Sequence, residues 1–311
     1  EFQAGDRLGV FAPMSGAAGL VVWLVSTSMP INCIFPQNFH AMELLAMVSQ
    51  HKLTAATTVP VILARIVQED LEAHDLRSLR FLRVGTAAAD MDAARSFEGR
   101  TGCKVVIASG SMEVPGFGHA GTSEPKELRL DGSVGSPLQG CRHRIMDEVG
   151  NILPAGETGE LNVRAPFGSS GYWNDPGGNR ASWTDGWYST GDMGVLDKDG
   201  RLTLKGRLKE TINRSGHKIL PSEIEKELAK HPDVFECAVI AAPDKEYGQV
   251  PWAFVQLRDG CSFDEAALSN ILRNAGFASY KIPTRIIEVP KFPRVVGSKV
   301  DKKALRETYC D

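Results

Sequence analysis

The sequence predicts an α/β protein in three parts. A mostly parallel sheet with covering helices comes first, a small antiparallel β-barrel follows, and a small α+β domain closes the chain. Three observations carry this. Short β-rich runs alternate with helix-patterned segments from Arg7 to Gly110; strands and tight turns dominate from Arg142 to Arg207; helix and strand patterns mix again after Leu208. The 311 residues suggest about two domains, at roughly 150 residues each. The texture changes set expected bounds of 1–141, 142–208 and 209–311.

Each element has its local reason. RLGVFAP, INCIF, LTAATTVP, RFLRVGT and KVVIASG are strand-length runs rich in apolar and β-branched residues, whereas AMELLAMVSQH and VILARIVQED repeat their apolar residues at helical spacing. Leu8 to Met42 carries no charge with His40 neutral, and a membrane-spanning helix needs about 20 apolar residues. Pro13, Ser15, Gly16, Ser26, Thr27, Ser28 and Pro30 interrupt that stretch, so Ala17 to Val25 reads as a core helix and no membrane span is expected. HRIMDE, GELNVRA, GVLD and RLTLKG read as barrel strands, with Lys198-Asp199-Gly200 turning the last hairpin. Ser222 and Glu225 read as a capping box opening a helix towards His231. Strands FECAVIAA and PWAFVQL follow. Ser262 with Glu265 is the expected cap of a helix whose Leu268, Ile271 and Leu272 share one face; RIIEVP is a strand and KVDKKALRE a final helix.

Composition narrows the function. Thirty-five Lys and Arg against thirty-eight Asp and Glu leave a net charge of −3, with 42% hydrophobic and 23% charged residues. Such a chain is neither disordered nor a generic polyanion binder, so no nucleic-acid partner is expected. Cys33, Cys103, Cys141, Cys237, Cys261 and Cys310 are widely spaced without a C-x-x-C, which points to no zinc site and a reducing cytoplasm. The chain opens EFQAGD, without Met or a signal-peptide pattern, and reads as a piece of a longer one.

Three segments could carry chemistry. In Tyr188-Ser189-Thr190-Gly191-Asp192 an Asp beside a Gly at a strand end can accept hydrogen bonds from two neighbouring hydroxyls, as on a ribose. Gly206-Arg207-Leu208-Lys209-Glu210 with Thr211 to Lys218 mixes fixed cations and small residues at a domain border, where hinges and ligands occur. Gly297-Ser298-Lys299 puts a Lys on a glycine-containing loop ahead of Val300-Asp301-Lys302-Lys303. Taken alone, each fits an ordinary turn, basic loop or wet surface better than a site.

Their order and spacing change that reading. GRLKETINRSGHKILPSEIE, DGWYSTGD, VVGSKVDKKALRE and GETGELNVRAPFGSSGYWNDP, with LTAATTVP, RVGTAAAD and ASGSMEVPG upstream, resemble the adenylate-forming superfamily of acyl-CoA synthetases, peptide-synthetase adenylation domains and luciferases. The likeness runs over nearly the whole chain and implies a C-terminal portion lacking the N-terminal phosphate loop, expected to be inactive alone. Three departures stand out. Ser109 replaces a usual aromatic and Met112 a usual Thr or Ala; Gly16 stands where many relatives carry His.

The resemblance implies an AMP-forming carboxylic acid–CoA ligase. A carboxylate attacks the α-phosphorus of ATP, giving an acyl-adenylate and pyrophosphate, and a thiol then displaces AMP. Two unit charges about 4 Å apart repel by about 4 kcal/mol at an effective dielectric of about 20, or about three decades in rate. By resemblance Lys299 neutralises that repulsion and Glu113 helps hold Mg²⁺. Gly85, Thr86, Ala87, Gly110 and Met112 match the nucleotide-site segments, and Asp192 with Arg207 the ribose contacts. The C-terminal domain is expected to be mobile, rotating about a hinge at Lys209 so that Gly216 lines the pantetheine tunnel of CoA in the second step. The acyl pocket is expected from APMSGAAGL, the stretch from Gly85 to Gly110, and Gly135; Gly16, Ala17 and Ala18 either widen it or pack a core helix. The acid would be aryl, alicyclic or aliphatic, and a homodimer is left open. A stand-alone adenylation protein loading a carrier protein is the alternative, followed by a noncatalytic fragment or pseudoenzyme; luciferase-type oxidation is the most distant.

Overall fold

The computed structural model describes residues 1–86, 89–295 and 300–310. In chain order these form β1 (Arg7–Val10), α1 (Ala17–Ser28), β2 (Asn32–Ile34), α2 (Ala41–His51), β3 (Ala55–Thr58), α3 (Pro60–Ile66), β4 (Phe81–Val84), α4 (Met91–Thr101), β5 (Lys104–Ser109), β6 (Gly118–Ala120), α5 (Lys126–Arg129) and β7 (Ser136–Pro137). There follow β8 (Arg142–Met146), β9 (Gly159–Arg164), α6 (Pro176–Ser182), β10 (Trp183–Thr184), β11 (Trp187–Leu196) and β12 (Leu202–Arg207). The last part comprises β13 (Ile212–Arg214), β14 (His217–Ile219), α7 (Pro221–Leu228), β15 (Val234–Asp244), β16 (Gly248–Leu257), α8 (Glu265–Asn274), β17 (Arg285–Glu288) and α9 (Lys302–Tyr309). Glu1–Thr190 with Gly194–Leu204 form one compact unit, and Gly191–Met193 with Lys205–Asp311 another.

The first unit is built on a seven-stranded sheet in the order β2-β1-β3-β4-β5-β6-β7. The first five strands are parallel, and β6 and β7 turn antiparallel at one edge. Alternation decides which side chain faces which layer. Leu82 and Val84 of β4 enter the larger core with Leu44 of α2, Leu63 of α3 and Phe97 of α4, whereas Phe81 packs on the opposite face with Leu8, Val10 and Val22 of α1. Helices therefore cover both faces, as a parallel sheet requires. Helix α1 departs from the expected core helix. It buries only the stripe Ala18, Gly19 and Val22 and leaves Trp23 57% exposed.

The predicted barrel segment is a curled antiparallel sheet, β10-β11-β9-β8, with β12 on β11. In the second unit β14-β13-β16-β15 form a sheet to which β17 adds on β16. Both expected helix caps move. Pro221 opens α7 at the first helical turn, so Leu220 is the cap, while Ser222 donates to the Lys205 carbonyl and Glu225 accepts from the Val239 amide. For α8 the cap is Asp264, accepting from the Ala267 amide at 2.9 Å, because Glu265 is bonded to the Ile286 amide.

One buried ion pair holds the first unit's sheet to α4 and α5. Arg129, 2% exposed, reaches both Glu98 oxygens at 2.6 and 2.9 Å and the Val105 carbonyl at 2.6 Å. Burial works to raise the Glu98 carboxyl, but Arg129 and the Val105 amide outweigh it and hold it below its ordinary 4.5. A depressed carboxyl stabilises the fold above its unfolded value and loses that contribution as pH falls through the folded value. Arg129→Ala strands a buried carboxylate and is expected to cost about 3–5 kcal/mol at pH 7. Urea unfolding at pH 7 and pH 4 checks this: the variant's deficit should shrink at the lower pH.

Candidate active site

Parallel strands all end at one edge, where the turning loops leave a crevice suited to ligands. A cleft of about 30 Å³ opens there, floored by Thr57 and Thr58 of β3, Arg83 of β4 and Ala108 of β5, and bounded by Gly85, Thr86, Ser109 and Gly110. Ala17, Ala18 and Val21 of α1 form its roof. Ala17 and Ala18 thus line the cleft, and Ala18 also packs in the buried stripe of α1; Gly16 is not among the lining residues. Gly135 does not line the cleft; a Cβ there would lie 2.2 Å from the His119 carbonyl, so the residue serves a close backbone crossing.

The chain at this rim is tight. A Cβ on Gly110 would lie 2.3 Å from the Gly116 nitrogen, a contact no side chain survives. Thr86 holds φ at +75°, a left-handed conformation that is costly for a β-branched residue and tends to occur at functional sites. Ala87 lies outside the described residues.

Three residues beyond Gly110, Glu113 accepts a hydrogen bond from the Tyr172 hydroxyl at 2.7 Å. Burial works to raise its carboxyl, but the bonds from Tyr172, Ser111 and Tyr188 outweigh it and keep the group below its ordinary value. Burial and the Glu113 charge push the Tyr188 phenol well up, so it stays a donor. Trp183 packs against both tyrosines, each at 4.9 Å between ring centres. Tyr172 was not legible as a site residue, since only the fold brings it across 59 positions to Glu113. Met112 points outward, 52% exposed.

In the second unit Asp192 and Arg207 meet as an ion pair at 2.7 Å. Asp192 does not sit at a strand end as expected. It lies inside β11, just after Gly191, whose φ of +69° breaks the strand's regular course. Ser215 and Gly216, at φ 47° and 89°, make the tight turn between β13 and β14. Among the described residues nothing crowds a Cβ at Gly216, so its positive φ is what calls for glycine. Lys299 lies outside the described residues. Lys302, three positions on, is held by Glu210 at 2.7 Å and Glu225 at 2.8 Å.

The family model for "AMP-binding enzyme" matches residues 1–173, and that for "AMP-binding enzyme C-terminal domain" matches residues 223–299. The chain belongs to the AMP-binding enzyme family. Among curated relatives of that family, it is 32% identical over 96% of its length to sulfoacetate–CoA ligase of Cupriavidus necator, covering 58% of that protein. It is 35% identical over 85% of its length to 2,3-dihydroxybenzoate-AMP ligase of Bacillus subtilis, covering 49% of it. O-succinylbenzoate coenzyme A synthetase of Bacillus subtilis, solved with ATP and magnesium ion, superposes with a TM-score of 0.84 at 27% identity, covering 98% of this chain and 62% of that one. The chain spans about half the length of the curated relatives it matches. Among the described residues no helix is long and apolar enough to cross a membrane.

Removing the Tyr172 hydroxyl removes the donor that most favours the ionised Glu113. Tyr172→Phe is therefore expected to raise the Glu113 carboxyl pKa. A ¹³C-detected titration of labelled glutamate compared with Glu113→Gln checks it; an unmoved resonance would mean the hydrogen bond does not govern the group.

Proposed function

We propose that this chain is the nucleotide-site and C-terminal portion of an AMP-forming carboxylic acid–CoA ligase. One observation carries the reading. The segments that match the family's nucleotide site converge on one cleft at the ends of β4 and β5, with glycine backbones at its rim where a side chain could not fit. Close-approaching backbone of this kind leaves room for phosphate and base.

The donors fit a hard cation as well. Among the described residues no cluster of three or more His, Cys, Asp or Glu could enclose a metal ion. Glu113 would therefore be a single carboxylate ligand for Mg²⁺, the rest coming from phosphate oxygens and water. When bound, such an ion offsets phosphate charge. Glu113 is suited to this because its hydrogen bonds keep it ionised at neutral pH.

Asp192, kept in place by Arg207, would accept from the ribose hydroxyls of ATP or AMP. Lys299 would neutralise substrate carboxylate and α-phosphate as they join, and the Ser215-Gly216 turn would line the path of CoA in thioester formation. The 35% identity to an aryl-AMP ligase supports a second reading, in which the acceptor thiol belongs to a carrier protein. Comparing CoA with a phosphopantetheinyl carrier as acceptor separates the two.

In the full-length enzyme Lys299→Ala is expected to slow acyl-adenylate formation by about three decades. Thioester formation from a supplied acyl-adenylate should continue in that variant. Gly216→Leu should show the opposite pattern, since leucine strains the turn and narrows the thiol path. Pyrophosphate release and thioester formation, assayed separately, check both; equal loss of the two steps in either variant would contradict the assignment.

A further inference from the structure

Several arginines in the first unit have carboxylate partners. Arg129 pairs with Glu98, Arg201 with Glu124 and Arg80 with Asp6. Arg83 differs. Its guanidinium makes no hydrogen bond or ion pair among the described residues, although the residue is half-buried and lines the cleft. The charge that acts on it through space is Glu1, whose carboxylate is bonded to the Thr122 amide and His119. An arginine stays ionised at neutral pH, and leaving its charge half-buried and unpaired is costly unless a ligand completes it.

The sheet fixes where this cation stands. Arg83 is the register partner of Thr57 on one side and Val106 on the other, and it shares the α1-facing side of β4 with Phe81. Thr57 also lines the cleft, and so does Thr58, whose hydroxyl is buried without a partner among the described residues. Opposite stand the small Ala17 and Ala18. Gly85, at the rim, is two residues further along the chain, or about 7 Å at strand rise. The cation and the Thr57 hydroxyl thus lie one layer below the rim, both lining the cleft.

We propose that Arg83 selects a short acid bearing a second anionic group, a dicarboxylate or a sulfo- or phosphono-carboxylate, with one carboxylate activated at the rim and the other anion held by the guanidinium. The proposal rests on the acid-activating reading above and specifies its substrate class. A guanidinium grips such an oxyanion through two parallel N–H donors, and a site built around a polar partner discriminates against an analogue lacking it far more than an apolar pocket discriminates by size.

ATP–pyrophosphate exchange by the full-length enzyme tests this, with succinate, 3-sulfopropionate and 3-phosphonopropionate each measured against butyrate. The wild type should favour at least one dianion over butyrate by about a hundredfold or more in kcat/KM. Arg83→Gln should collapse that ratio, mainly through KM for the dianion, and Arg83→Lys, which keeps the charge, should restore part of it. An unchanged ratio in Arg83→Gln, or a wild type indifferent to the second charge, overturns the proposal. Exchange with butyrate alone, or with none of these four acids but with an aryl acid such as benzoate, overturns it while leaving the ligase reading intact; exchange with no carboxylic acid of a wider panel overturns both.

Discussion

The site depends on the in-register parallel pairing of β3, β4 and β5. Because Thr58 pairs with Val84 and Val84 with Ile107, all three strands run out at the same edge. Their exits must crowd one another there. A Cβ on Gly85 would lie 2.8 Å from the Ala108 carbonyl, so backbone atoms rather than side chains surface the rim. A one-residue slip of β4 would exchange Arg83 with a core residue and close the cleft, because side chains alternate strictly along a strand. The hydrophobic faces of β4 exclude that slip, with Leu82 and Val84 in one core and Phe81 in the other.

That dependence explains what was readable beforehand. The strand runs and the helices over 41–51 and the C-terminal segment followed from periodicity, since each buries a face whose spacing is written locally. The caps were not readable. Ser222 and Glu225 have the right spacing for a capping box, yet each found a stronger partner from a distant segment: the Lys205 carbonyl for one, and the Val239 amide with Lys302 for the other. Helix α1 misled for the converse reason. Its apolar run is continuous, but one stripe is all the sheet can cover.

The candidate site was legible to a similar degree. Gly85, Thr86 and Gly110 were identified through resemblance and do gather at one rim, and Asp192 and Arg207 do meet. Tyr172 and Arg83 were not singled out. A tyrosine's role depends on which carboxylate the fold brings to it, and an arginine's on which carboxylates the fold withholds. Neither fact is encoded within a short window of sequence.

The same reasoning separates two cations that look alike on paper. Lys302 sits in a Lys-rich helix start, which ordinarily reads as wet surface, yet Glu225 and Glu210 outweigh the burial that would disfavour its charge and hold its ammonium above the ordinary value. It joins α9 to α7 and to the segment after Lys209 within the second unit, and both of its carboxylate partners are already in place. A cation so satisfied has little left to offer a substrate, so its part is to position α9. Arg83 has the opposite balance: a strand position, a small cleft before it, and no carboxylate bonded to it among the described residues. In low-dielectric surroundings a charge acts most strongly where its own protein has not already neutralised it.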